Sequence, residues 1–217
     1  MSRFHGLAPL LLAACAIGCT GSLFQSKVPP PTIYELGAGS SAPPAAPAAG
    51  TPAAATPVDL AVLKPLVRPG LESDRIAALY PDRRLDYFAD ARWNGPLGEV
   101  LQDIAVQAFH ARAALRNVSG EASVFASTYW LEIDVTDFQA EYTTGANAPT
   151  VHVQFLARLG TSGDRRILGQ FTAIARQPAA ENRLTSIVAA YAQATDTALA
   201  KIVADVGAIL AKPLETR

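Results

Sequence analysis

The chain has 217 residues, 50% of them apolar, and a formal net charge of −1. That length and apolar content suit one ordinary domain with a sizeable core. The near-zero charge, with acidic and basic residues interleaved, excludes the basic footprint of a nucleic-acid binder. Both cysteines, Cys15 and Cys19, lie close to the N-terminus, so the rest of the chain holds together without a disulfide.

Arg3 precedes a short apolar run that ends in Leu12-Ala13-Ala14-Cys15. The run is too short for a membrane-spanning helix, which needs about 20 apolar residues, and it fits a cleaved export signal. Small residues before a cysteine, behind a short apolar stretch, resemble a bacterial lipoprotein signal. The resemblance implies removal of residues 1–14 and lipidation of Cys15. Ala16-Ile17-Gly18-Cys19 offers the alternative, with residues 1–18 removed. Cys15 has the large-small-small order before it, but its apolar stretch is brief and interrupted by Pro9. An ordinary signal with incidental cysteines is a third reading. Neither Ala16 nor Thr20 is the aspartate that marks inner-membrane retention in such lipoproteins. The resemblance therefore favours the outer membrane, with the protein facing the periplasm.

Residues 15–31 read as a polar and proline-rich tether, and Thr32–Leu36 as a short alternating strand. Residues 37–57 are low-complexity Ala/Pro. Their prolines deny a helix its hydrogen bonds and they offer no apolar face to bury, which predicts a disordered, semi-extended loop. The domain is expected over 58–212. Val58, Leu60 and Val62 alternate with smaller or polar residues, as in a half-buried strand. Residues 75–80 and 85–89 repeat the strand pattern around turn-forming Pro81-Asp82-Arg83, a hairpin.

From Gly95 the period changes. Leu97, Val100, Leu101, Ile104, Ala105, Ala108 and Phe109 fall at helical spacing, with Pro96 in the first turn and Asn94 as N-cap. Residues 128–142 form the clearest strand. Its apolar parity flips between Val135 and Phe138, which predicts a bulge near Thr136-Asp137. Residues 151–159 and 166–175 make two further strands around a turn at 160–164. A helix over 184–210 closes the chain, its buried stripe running through Ile187, Tyr191, Ala194, Ala198, Ile202, Val206 and Ile209. The order predicts a single α/β domain, a mixed β-sheet packed with two main helices, behind a signal peptide and a flexible tether.

Tyr34-Glu35-Leu36, then Arg92-Trp93-Asn94-Gly95-Pro96-Leu97 at a helix start, then the long strand from Tyr129 to Tyr142, two paired strands and a terminal helix follow one another in order. In this arrangement the chain resembles the ABC-type transport auxiliary lipoprotein component family over about residues 30–210. The resemblance implies a non-enzymatic partner of mammalian-cell-entry (MCE) proteins. Such complexes move phospholipids between the inner and outer membranes, driven by a permease and a cytoplasmic ABC ATPase. A homo-oligomer is compatible with it. The Ala/Pro insert is long for the family, so Thr32–Leu36 either docks into the sheet or belongs to the tether. Two functions of other classes stand beside this one: a scaffold lipoprotein for cell-wall or outer-membrane assembly, and an envelope hydrolase.

The candidate partner-binding residues are Arg92, Trp93 and Trp130. Trp93 is either a packed aromatic that fixes the start of the helix or a contact anchor, since Trp and Arg are enriched in hot spots. Trp130 lies opposite Leu131 and Ile133. It is core if helices cover both sheet faces, and a contact residue if one face is open. His110 falls at a helix end, where a cation suits the dipole, and His152 on a strand. Glu132 and Asp134 share a strand face that reads as solvated. No catalytic residue, metal site or cofactor is expected: no cluster has metal-ligand spacing, and no nucleophile elbow or phosphate loop occurs.

Overall fold

The computed structural model describes residues 29–37, 56–113, 115–120 and 127–211. The signal segment with Cys15 and Cys19, most of the tether and residues 38–55 of the Ala/Pro stretch lie outside the described residues. Apart from Pro29 and Pro30, the described residues belong to one compact unit, Pro31–Arg217.

Everything is arranged around one strand, β7 (Tyr129–Glu141), which is long enough to be paired three times along one edge. Parallel to its first part runs β2 (Thr56–Val62), with Leu60 opposite Tyr129 and Val62 opposite Leu131. Parallel to its middle runs the two-residue β3 (Leu66–Val67), with Leu66 opposite Asp134. Parallel to its end runs β4 (Arg75–Leu79), with Ala78 opposite Ala140. Along its other edge β8 (Thr150–Thr161) is antiparallel over its whole length, and β9 (Ile167–Pro178) is antiparallel to β8. The sheet is completed by β6 (Leu115–Gly120) beyond β2, and by β5 (Leu85–Trp93) and β1 (Thr32–Tyr34) beyond β4. Among the described residues it is a mixed sheet of nine strands.

The two helices among the described residues are α1 (Leu97–Arg112) and α2 (Leu184–Leu210). α2 lies across β8 and β9, α1 lies against β6, β2 and β3, and the two helices touch each other. One sheet face is therefore covered. Tyr129, Leu131, Ile133 and Val135 point into that side, followed by Phe138 and Ala140. Val151, Val153, Phe155, Ala157 and Leu159 of β8 do the same. The change of parity is made by a bulge between Val135 and Asp137, where the sequence places it. The amide of Phe138 freed there is taken by the side chain of buried Gln139, at 2.9 Å.

Local sequence explains most element ends. β4 and β5 form the expected hairpin, closed by Tyr80 N–H to Arg84 O at 3.0 Å. β5 runs on past Ala89 to Trp93 because Asp90, at φ 53°, absorbs a register shift. β1 docks into the sheet, with Tyr34 beside Trp93, and Leu36 is buried behind it. That settles the alternative left open for Thr32–Leu36.

One expectation is corrected at α1. The N-cap is Pro96, with extended ψ of 136° and no side-chain cap, rather than Asn94. Asn94 stands two residues too early to reach the free amides. Backbone carbonyls do its work: Pro96 O accepts from Glu99 N–H and Val100 N–H, and Ser73 O accepts from Leu97 N–H at 3.1 Å. α2 has no side-chain cap and no acidic residue in its first turn. Its 27 residues are held by the buried stripe, as expected of a helix stabilised by packing rather than by its ends.

Candidate functional site

The face of the sheet turned away from the helices carries no helix among the described residues. Because strand side chains alternate, it collects Trp130, Glu132, Asp134, Asp137, Gln139 and Glu141 from β7. Opposite them stand Gly160, Arg158, Leu156, Gln154 and His152 from β8, and Gln170, Thr172, Ile174 and Arg176 from β9. Leu66 of β3 stands beside Asp134. Leu66 and Ile174 are 59% and 54% exposed, large apolar side chains standing free on a charged surface.

The charges on this face are tied across strands. Arg158 reaches Glu132 at 2.5 Å and Asp134 at 2.9 Å with one nitrogen, which leaves Asp134 Oδ1 buried without a partner. Farther along, Glu141 meets Arg176 at 2.7 Å, His152 Nδ1 at 2.9 Å and Gln139 at 3.2 Å. Burial pushes the Glu141 carboxyl up, but the hydrogen bonds from His152, Arg176 and Gln139 outweigh it and hold the group below the ordinary carboxylate range. His152 Nε2 is sealed and unpartnered. Its Nδ1 meets Glu141 and Arg176, and among the described residues no hydroxyl or thiol is hydrogen-bonded to the ring as a triad requires.

Trp130 lies flat against Gly160. A Cβ at Gly160 would come within 2.2 Å of Trp130 Cζ2 and 2.4 Å of Cε2, so only glycine leaves room for the indole. The indole Nε1–H donates to Thr161 O at 3.0 Å. The ring is thus clamped in one pose and half-buried. Trp130 stands on the face that carries no helix among the described residues.

Trp93 is different. It is 2% exposed and sits edge-on to Tyr191, with centroids 5.3 Å apart, and to Phe138 at 6.2 Å. Tyr191 is fully enclosed. Its hydroxyl donates to Ala77 O at 2.6 Å, and burial drives its pKa well up. Trp93 therefore packs, and as a contact anchor it is corrected: a ring this deep has no surface to offer a partner. Arg92, one residue earlier, points to the other side and pairs with Asp74 at 2.8 Å. It belongs to the wing that joins β7 at Ala140–Glu141, whereas Trp130 stands at the start of β7. The structure does not bring the three candidates together. His110 is exposed at the last turn of α1. The residues that sequence reasoning missed are Arg158, His152 with Glu141, and the exposed Leu66 and Ile174. Cross-strand register, which joins them, is not written in any one strand.

Two concavities flank the helices. One, of about 370 Å³, is walled by Ala113, Leu115, Val203, Leu210 and their small neighbours, with Arg112 at its rim paired to Asp196. The other, about 200 Å³, lies between Leu36 and the start of α1 and includes Glu35, Glu99 and Asp103. Neither contains a nucleophile next to a base. Among the described residues no group of His, Cys, Asp and Glu could hold a metal ion, and no helix is long and apolar enough to cross a membrane.

Among the described residues, a mixed sheet with helices on one side only defines an α/β module. Residues 34–203 match the ABC-type transport auxiliary lipoprotein component family. The chain belongs to that family, which makes it an envelope-associated lipoprotein component of ABC-type transport. Among solved structures it is similar to a Xanthomonas campestris protein of the DUF330 family. That likeness has a TM-score of 0.70 and 25% identity, over 82% of this chain and 95% of that one. An uncharacterised protein (TM-score 0.59, 16% identity) is covered over 99% of its length by 82% of this chain. A hypothetical protein of Chlamydia trachomatis (TM-score 0.50, 14% identity) is covered over 98% of its length by 71% of this chain. The last two likenesses bear on the fold alone. No curated protein matches the chain.

Proposed function

We propose that this protein is the periplasm-facing lipoprotein subunit of an MCE-type intermembrane phospholipid transport system, anchored in the outer membrane. It acts by docking a partner protein rather than by catalysis. The observation that carries this reading is the sheet face that no described helix covers. It combines a clamped aromatic ring, Trp130, two exposed aliphatic side chains, Leu66 and Ile174, and cross-strand ion pairs in which Arg158 serves two acids and Arg176 one. A rigid Trp loses little entropy when it binds, and the acid in excess around Arg158 suits a partner that brings a cation to it. Arg92 lies on the same side in the β1–β5 wing and extends the surface.

The direct partner is an MCE-domain protein, and through it the permease and ATPase. Crosslinked co-purification from envelope membranes should recover those three components. Trp130→Ala with Leu66→Asp should weaken the recovery while the domain stays folded. Recovery of cell-wall or outer-membrane assembly proteins instead would replace this reading with the scaffold. Loss of function in an alanine variant of His110 or His152 that still folds and still binds its partner would replace it with an enzyme.

A further inference from the structure

β9 is the end strand of its side of the sheet: among the described residues it pairs only with β8. Its bonding parity follows from the first bond beyond the ladder. Ala179 N–H donates to Pro149 O at 2.9 Å, with Thr150 opposite Pro178. In an antiparallel pair the bonded positions alternate, so the backbone of Phe171, Ala173, Ala175 and Gln177 turns to β8. The N–H and C=O groups of Gln170, Thr172, Ile174 and Arg176 turn outward. Register with β8 is unbroken from Gly169 to Pro178, so the outward row is regular.

Natural edge strands are blunted by short length, charge, proline or a bulge. From Gln170 to Gln177, β9 has no proline and no bulge. Its single charged side chain, Arg176, is drawn across the face to Glu141 at 2.7 Å. The other end strands differ. β1 has three residues. β6 has six and carries Arg116, tied to Asp59.

Both sides of the β9 edge leave room for further side chains. On the face that no described helix covers, Thr172 and Ile174 stand exposed. On the helix side, Ile209 and Phe171 meet over Gly169, where a Cβ would come within 2.4 Å of Ile209 Cδ1 and 3.0 Å of Phe171 Cζ. Both side chains are only half-buried. Phe171 has buried Ala157 of β8 on one flank and, among the described residues, no strand on the other.

We propose that the MCE-domain partner docks by adding an extended segment of its own chain to β9. Pairing with the outward groups of Gln170, Thr172, Ile174 and Arg176 gives affinity, and the segment's alternate side chains give specificity. On the helix side those side chains are apolar and fill the space beside Phe171. On the other side they lie next to Thr172 and Ile174, where β-branched residues fit best. The inference rests on the docking reading of the sheet face, which the added strand extends beyond Ile174, and it gives the contact its form.

The test separates backbone from side chain. Thr172→Pro and Gln170→Pro each delete one outward N–H, which an edge strand tolerates, whereas Thr172→Ala and Gln170→Ala keep it. In co-purification of the full-length chain from envelope membranes, each proline variant should recover about tenfold less MCE-domain protein. The alanine variants should recover as much as wild type, and circular dichroism should be native in all four. A second measurement needs no variant. In hydrogen exchange of the wild-type chain, the amides of Gln170, Thr172, Ile174 and Arg176 should exchange freely alone and become protected in the purified complex. Alanine variants as weak as the proline variants, or no gain of protection in the complex, would overturn the strand addition and leave docking through Trp130 and Leu66 standing. Protection of these amides already in the free chain, as pairing between two copies would give, would overturn it as well. A wild-type chain that recovers no MCE-domain protein would remove both readings.

Discussion

Gly160→Ala puts one methyl group against the most tightly constrained ring on the open face. Its Cβ would stand 2.2 and 2.4 Å from two atoms of the Trp130 indole. Those atoms belong to a fused ring that cannot flex, so the whole ring must lift. Lifting it breaks the bond from Nε1 to Thr161 O, worth about 1 kcal/mol. Overpacking adds about 1–3 kcal/mol. The sum is roughly 2–4 kcal/mol, and at about 2–4 °C per kcal/mol for a domain of this size the melting temperature should fall by roughly 5–15 °C. Gly163→Ala, where a Cβ meets nothing within 4 Å, should leave stability unchanged.

The decisive comparison is the double-mutant cycle. In a Trp130→Ala background the clash is gone, and Gly160→Ala should cost nothing or stabilise the strand by about 0.5–1 kcal/mol. Thermal or urea unfolding followed by circular dichroism measures all four proteins. A Gly160→Ala protein as stable as wild type, or additive effects in the cycle, would refute the clamp.

Ile202→Asp places a charge on the fully buried stripe of α2 and should cost several kcal/mol, seen as loss of soluble folded protein. Glu141 has a depressed pKa in the fold, so its contribution is present above the ordinary Glu pKa and is lost as pH falls through the depressed value. The stability gap between wild type and Glu141→Gln should therefore be widest near neutral pH and close in acid, and a gap that widens in acid would contradict the network. Cys15→Ser should abolish palmitate labelling and membrane retention, whereas retained labelling with loss in Cys19→Ser would assign the anchor to the second cysteine.

The legible part of the fold was the part in which side-chain period alone carries the signal. Strict alternation marked β7 and β8, and the break in parity between Val135 and Phe138 marked the bulge. The 3.6-residue stripe from Ile187 to Val206 marked α2. β6 escaped notice because Leu115 and Val118 are its only large apolar residues; its strand character comes from pairing with β2. β3 is two residues long and exists only through β7. The helix start misled because Asn94 is a good cap by residue type, while Ser73 O and Pro96 O, contributed by backbone, leave it nothing to do. At the site, sequence could place Trp130, Glu132 and Asp134 on one face of a strand. It could not show that Arg158 closes over both acids, or that Gly160 exists to seat the indole, because both facts depend on register between β7 and β8. Trp93 could be read either way until the positions of Phe138 and Tyr191 fixed it.

The central claim is that the uncovered sheet face docks a component of the transport system. A photoreactive amino acid placed at Leu66, exposed on that face, tests it most directly when compared with one at Lys201, exposed on the solvent side of α2. Irradiation of intact cells should crosslink the Leu66 probe to an MCE-domain protein and leave the Lys201 probe unreacted. Capture of that protein from Lys201 but not from Leu66, or capture from Leu66 of a protein outside any ABC transport system, would contradict the account.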